Sequence, residues 1–288
     1  MSTTDTAPPP TPDRPQAPPA SGSDGARAVA VVAIVLGAIV LAGAVISAVV
    51  GTVASASVHT STRTVAVSGV DSLDVDASAG IMRVEFADVE EAELEVTSSW
   101  GADRWRFELG DDDLVVASPD RSGWFGWFGW GGWFGGREGD AVLRLPADLE
   151  GIDADLSLSA GDLVAEGTFG ELDVMLGAGS FDIAGSAQAV SAEVSAGRGE
   201  LDLEDVGTAE LSVSAGSLDA RLSGAQPDDV QIDVSAGSLQ LTVPDGDYDV
   251  LSDVSAGGFD NRIGSSPGAA STIRVEVSAG EVVLQSDR

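Results

Sequence analysis

The tripeptide Ser-Ala-Gly returns along this chain at a nearly constant interval, and that recurrence restricts the folds open to it. It stands at Ser78-Ala79-Gly80, Ser159-Ala160-Gly161, Ser195-Ala196-Gly197, Ser214-Ala215-Gly216, Ser235-Ala236-Gly237, Ser255-Ala256-Gly257 and Ser278-Ala279-Gly280. A Gly177-Ala178-Gly179 variant fills the gap in the series. From Gly161 onward the closing glycines are spaced by 18 to 23 residues. Units of that size cannot bury a core alone and have to stack.

Each unit reads as strand, corner, strand. Before the serine, the places one, three and five residues back are apolar: Val277, Val275 and Ile273, or Val234, Ile232 and Val230. The places between carry Glu276, Arg274, Asp233 and Gln231. That period of two puts one strand face inward and the other in water. After the glycine the apolar places are two and four on, as in Leu239 and Leu241 or Phe181 and Ile183. Strict alternation through the tripeptide would turn these outward, so the corner shifts the phase, and a closing Gly allows it without steric cost. Gly199 is read as displacing the leucines of its copy by one place, and Ser252 falls at an inward place.

Two architectures fit: a β-solenoid in which each copy is one coil, or a meander in which each tripeptide closes a hairpin. Near-constant copy length favours the solenoid. Leucine-rich repeats need a recurrent Asn, and the chain has only Asn261; a calcium-binding β-roll needs Gly-Gly-x-Gly-x-Asp loops, which are missing. The expected fold is therefore all-β, a β-solenoid over residues 64–288. Its corners are Gly80, Gly161, Gly179, Gly197, Gly216, Gly237, Gly257 and Gly280. Stacking in chain order places Gly237 mid-pile and Gly280 near its end.

The N-terminal region differs. Seven of the first 20 residues are proline and no apolar periodicity is present, so residues 1–27 are expected to be a disordered tail. Residues 28–50 carry no charge, and 23 residues of helix would be about 34 Å long, enough to cross a bilayer. A cleaved signal peptide is the alternative, with Ala54-Ser55-Ala56 as its small-residue site; the length of the apolar run favours a retained anchor. Residues 51–63 then form a linker. Arg14 and Arg27 before the helix, against Arg63 after it, put the tail in the cytoplasm and the repeats outside a single-pass cell membrane protein.

The chain has 47 acidic residues against 14 basic ones, and no Cys. No thiolate site or disulfide framework exists. Nucleic acid is excluded as a partner, because phosphate binding requires a basic face. Most acids fall at outward places of the strands, as a solvated, non-aggregating surface requires. No compact Asp/Glu loop suggests a metal, and Asp111-Asp112-Asp113 reads as a turn.

One segment stands apart. Residues 122–137 interrupt the strand pattern with Trp124, Phe125, Trp127, Phe128, Trp130, Trp133 and Phe134, punctuated by glycine and bracketed by Arg121 and Arg137. Three roles compete for this insertion: a cap over strand edges of the solenoid, which is favoured because exposing seven large aromatics is unfavourable, a contact with the membrane interface where Trp is favoured, or a stacking platform for a glycan or an envelope protein. Trp100 and Trp105 are expected to be packing residues.

Catalysis has little to rest on. The only His is His59, Lys and Cys are absent, and the corner serines recur in every unit but one, as a structural ladder does and a nucleophile does not. No cofactor and no catalytic or metal site is expected. The run Val142-Leu143-Arg144-Leu145-Pro146 followed by serial Val-x-Val-Ser-Ala-Gly-x-Leu-x-Leu units resembles the bacterial "putative adhesin" β-strand-repeat family, a domain of unknown function, over about residues 64–287. The resemblance implies a surface-exposed solenoid acting as a non-enzymatic scaffold or adhesin-like module. Some relatives serve envelope-stress systems, so a sensor role is the alternative, and a polysaccharide-cleaving β-helix is the least favoured.

Overall fold

The computed structural model describes residues 59–98, 102–110, 112–119 and 139–287. The expected tail, the 28–50 span and the aromatic insertion lie outside these residues. Among the described residues no helix is long and apolar enough to cross a membrane.

The strands, in chain order, are β1 (His59–Val65), β2 (Ser72–Ala77), β3 (Gly80–Ala87), β4 (Ala92–Ser98), β5 (Arg106–Leu109), β6 (Asp113–Ala117), β7 (Asp140–Pro146) and β8 (Ile152–Glu204). There follow β9 (Thr208–Val213), β10 (Ser217–Ser223), β11 (Asp229–Val234), β12 (Ser238–Val243), β13 (Tyr248–Val254), β14 (Gly257–Asn261), β15 (Ser271–Val277) and β16 (Gly280–Ser286). The 53-residue β8 runs unbroken through several corners. The linker expected over 51–63 gives way to β1 at His59, whose Thr-rich sequence pairs antiparallel with β4.

Parallel, in-register pairing decides the architecture in favour of the solenoid. Leu218 lies beside Leu239, Leu239 beside Val282, and Val230 between Ala209 and Ile273. A meander of hairpins would make these ladders antiparallel. The strands before the corners form one sheet in the order β5, β6, β2, β8, β9, β11, β15, β13; those after the corners form the other, β1, β4, β7, β3, β8, β10, β12, β16, β14. Each buries one face in a shared core of Leu, Val, Ile and Phe. The corner shifts the alternation as expected: Leu158 and Leu163 are both buried, with Ser159, Ala160, Gly161 and Asp162 between them outside the core.

The order of coils departs from chain order at both ends. The last coil, β15–β16, is inserted between β11–β12 and β13–β14. Likewise β2–β3 lies between β6–β7 and the first turn of β8. Gly280 is therefore the last but one of the glycine column, still near its end, with Gly237 on one side and Gly257, not Gly280, in the terminal place. The reason is visible in the inward places. β15–β16 offers Ile273, Val275, Val277, Val282 and Leu284, all buried, whereas β13–β14 presents Ser252 beside Val275 and Asn261 beside Leu284. A coil with polar inward groups costs least where one side is open to water.

The opposite end is closed by antiparallel strands. β5 pairs with β6, and β4 joins β7 to β1. Trp105 and Phe107 are buried there, in agreement with the packing role expected of Trp105. The Arg63 guanidinium donates to the carbonyl oxygens of Trp105 (2.9 Å) and Phe107 (3.3 Å) and lies 6.0 Å from the Phe107 ring centroid.

Gly199 corrects a second expectation. It does not displace its neighbours; it occupies the inward place itself, in register with Leu218, while Leu201 pairs with Ala220. A Cβ there would stand 2.4 Å from Phe181 Cζ, so the small residue makes room for the ring from the adjacent coil.

The only tyrosine, Tyr248, is buried at the turn into β13 and donates its hydroxyl to the Pro244 carbonyl oxygen at 3.0 Å. Burial, with smaller contributions from Asp287 and Asp245, pushes the phenol up to about 12 from 10.0. The folded state then holds this proton where the unfolded chain has lost it, so stability falls as pH rises from about 10 towards 12. Tyrosinate absorbance of the native protein is expected to rise near pH 12, or with alkaline unfolding, against near pH 10 in denaturant. Tyr248→Phe should remove that part of the alkaline stability loss.

Candidate interaction surface

The expected corner residues come together as one column. In spatial order it runs Gly80, Gly161, Gly179, Gly197, Gly216, Gly237, Gly280, Gly257. A Cβ on Gly179 would stand 1.9 Å from the Gly161 carbonyl oxygen, and one on Gly257 2.0 Å from that of Gly280. Gly80, Gly161, Gly179, Gly197 and Gly257 also have φ between 107° and 157°, in the left-handed half of the map that favours glycine. The other three lack positive φ, and there space alone requires glycine. Beside the column run the corner serines and alanines, which make a narrow ridge of small side chains. These glycines are structural, and the serines beside them form a ladder.

The ridge also receives the stems of the aromatic insertion. β6 and β7 flank β2 and β3, so the stem residues Ser118 and Gly139 stand beside the corner of the neighbouring coil. Ser118 stands in the serine ladder: its oxygen accepts the Ser78 N–H at 2.8 Å and hydrogen-bonds Ser78 Oγ at 2.9 Å. At the other stem, a Cβ on Gly139 would meet the Thr97 carbonyl oxygen at 2.1 Å. Trp124, Phe125, Trp127, Phe128, Trp130, Trp133 and Phe134 themselves, like Trp100, lie outside the described residues.

The outward faces are rows of polar side chains a strand spacing apart. Asp74 and Asp155 are register partners, with Asp173 following one repeat later. Burial first, and then Asp74, Asp173 and Asp76, push the Asp155 carboxyl above its ordinary value. Ionisation of Asp155 thus opposes folding. Its protonated form is favoured in the native state, so stability falls as pH rises through its titration and the penalty persists at neutral pH. Asp155→Asn is expected to stabilise the protein at pH 7 by about 0.5 kcal/mol or less at this solvated position, seen as a small rise in melting temperature. The gain should vanish near pH 3, where the carboxyl is protonated in both states.

A few of the charges are paired. Arg144 on β7 bridges Glu85 on β3 (2.9 Å) and Glu95 on β4 (3.1 Å), tying the antiparallel end to the solenoid, and these partners hold its pKa above the ordinary value. The expected turn at the Asp triplet is the β5–β6 hairpin, closed by the Gly110 N–H on the Asp113 carbonyl oxygen at 2.7 Å. Among the described residues no group of three His, Cys, Asp or Glu side chains is placed to hold a metal ion. The concavities found among the described residues are shallow; the one lined by Arg198, Glu200, Asp219 and Gln240 lies on the outer face of β8, β10, β12 and β16.

Residues 70–253, most of the coiled stack, match a family model. The chain belongs to the Toastrack DUF4097 family. Solved structures similar to this Toastrack chain include a "putative adhesin" from Bacteroides fragilis, at 14% identity and a TM-score of 0.45, covering 79% of this chain and 97% of that one. A "putative lipid binding protein" from Parabacteroides distasonis has 13% identity and a TM-score of 0.42, covering 78% and 96%. A "putative cell adhesion protein" from Clostridium sporogenes has 12% identity and a TM-score of 0.35, covering 80% and 100%. No curated protein matches the Toastrack chain.

Proposed function

We propose that this Toastrack chain is a non-enzymatic interaction module of the cell surface, held at the membrane by residues 28–50 with its solenoid outside. The observation that carries the reading is the pair of long, regular outer faces. Their polar groups repeat from coil to coil, which suits an extended contact with a partner better than a singular reaction centre. His59 opens the edge strand β1, and the corner serines form a ladder. The names of the similar solved proteins, two adhesion-related and one lipid-related, agree with this class.

The aromatic insertion is the element we assign to membrane contact. The end of the pile beside its stems is already closed by β1, β4 and β5, so capping gives it little to cover. The soluble fragment 57–288 is expected to bind neutral vesicles despite its charge, with a blue shift of tryptophan fluorescence. Serine at Trp124, Trp127, Trp130 and Trp133 should abolish the shift; emission already blue without lipid and unmoved by it would restore the capping role. Protease added to intact cells should remove the solenoid and spare the tail. Secretion of a soluble product beginning near Ser57 would overturn the anchor. Deleting residues 1–24 should leave an adhesive function intact, whereas loss of function would favour the envelope-stress sensor.

A further inference from the structure

We propose that two copies of this chain exchange their last coil, residues 271–286, each filling the slot between β11–β12 and β13–β14 of the other. The inference goes beyond the surface-module reading and does not depend on it, because it rests on the order of coils alone.

The slot has two walls that share one register with its occupant, although β13 and β14 carry Ser252 and Asn261 where the occupant has Val275 and Leu284. On one sheet, the inward rows across wall, occupant and wall are Val230, Ile273, Val250; Ile232, Val275, Ser252; and Val234, Val277, Val254. On the other they are Leu239, Val282, Phe259 and Leu241, Leu284, Asn261. The corner column likewise runs Gly237, Gly280, Gly257. When the coil leaves, β13–β14 can therefore pair directly with β11–β12 in the same register. Withdrawal does not leave a ruptured core, which removes the usual obstacle to opening a parallel stack. The departed coil, however, carries a continuous apolar face, and a second copy offers it the same slot.

The connection suits exchange. Residues 262–270 lead from β14 to β15 and include Gly264, Ser265, Ser266, Pro267 and Gly268. Nine extended residues reach about 30 Å, several times the roughly 4.8 Å between adjacent coils. In place, the segment lies along β13: Ser266 N–H donates to the Tyr248 carbonyl oxygen at 2.7 Å, Val250 N–H to Ser265 Oγ at 3.1 Å, and Gly268 N–H to Asp249 Oδ2 at 2.9 Å. These are solvent-side bonds that water can replace. Exchange preserves every bond inside the slot and changes only which chain supplies the coil, the condition under which swapping is set by concentration.

The absence of cysteine allows a direct test. Asp233 on β11 and Glu276 on β15 are register partners on the outer face, at a spacing a disulfide can bridge. Full-length chain carrying Asp233→Cys and full-length chain carrying Glu276→Cys are mixed in detergent, refolded together from urea and oxidised. Exchange predicts a covalent heterodimer whose yield rises with protein concentration. A mixture of Asp219→Cys and Glu276→Cys, whose sites lie on different sheets, should give none. The doubly substituted Asp233→Cys/Glu276→Cys chain reports that the coil still enters its slot, closing internally when dilute and between copies when concentrated. Internal closure at every concentration with no heterodimer from the mixture would overturn the proposal, as would equal heterodimer from the control pair.

Discussion

Gly179→Ala is expected to destabilise the solenoid by about 3 kcal/mol or more, enough to prevent a marginal domain from folding. Two costs coincide there. The residue has φ 120°, which L-side chains rarely adopt, and its Cβ would lie 1.9 Å from the Gly161 carbonyl oxygen. Neither neighbour can yield, because both belong to parallel ladders that run the length of the pile. Gly258→Ala provides the contrast: no positive φ and no atom within 4 Å of its Cβ, so its stability in urea unfolding should change by less than about 0.5 kcal/mol. Gly237→Ala and Gly280→Ala distinguish the observed order from chain order. Their Cβ atoms would meet backbone oxygens at 2.5 and 2.4 Å, so the losses should be alike. A mild effect at Gly280 would mean that its coil lies at the end of the pile after all.

Phe181→Ala should cost about 3–5 kcal/mol, since the ring is fully buried between coils. The more discriminating result concerns its partner. Gly199→Ala places a methyl group 2.4 Å from Phe181 Cζ and 2.7 Å from Leu218 Cδ1, and should destabilise the native protein by about 1–3 kcal/mol. In a Phe181→Leu background the same methyl group enters vacated space and its cost should largely disappear. Denaturant curves of the four proteins give the coupling directly. Additive effects would show that Gly199 is required for a backbone reason and not to receive the ring.

The repeat unit itself was legible in the sequence because both of its signals are local. Alternation of apolar and acidic residues fixes which side of each strand faces the core, and the Ser-Ala-Gly corner reverses the phase within five residues. Leu158 and Leu163 are found buried on either side of a corner for that reason. Parallel stacking was favoured by near-constant copy lengths. The need for glycine was also legible, although strain and lack of space could not be separated: Gly179 faces both, Gly237 only the second.

Gly199 was misread because a sequence shows a missing side chain but not the ring that fills its place; Phe181 lies 18 residues earlier and reaches it only through the stack. Ser252 carried more information than a local reading extracted. Noted as a polar residue at an inward place, it marks, together with Asn261, the coil that belongs at the open end. The sequence by itself determined the coil: its strands, its corner and its inward residues, all set by interactions within about twenty positions of chain. Only the tertiary structure decided the order in which coils pile up. In-register apolar rows fit many neighbours almost equally well, so order depends on which coil loses least by facing water. That comparison involves all the coils at once, and it places residues 271–286 inside and residues 248–261 at the end.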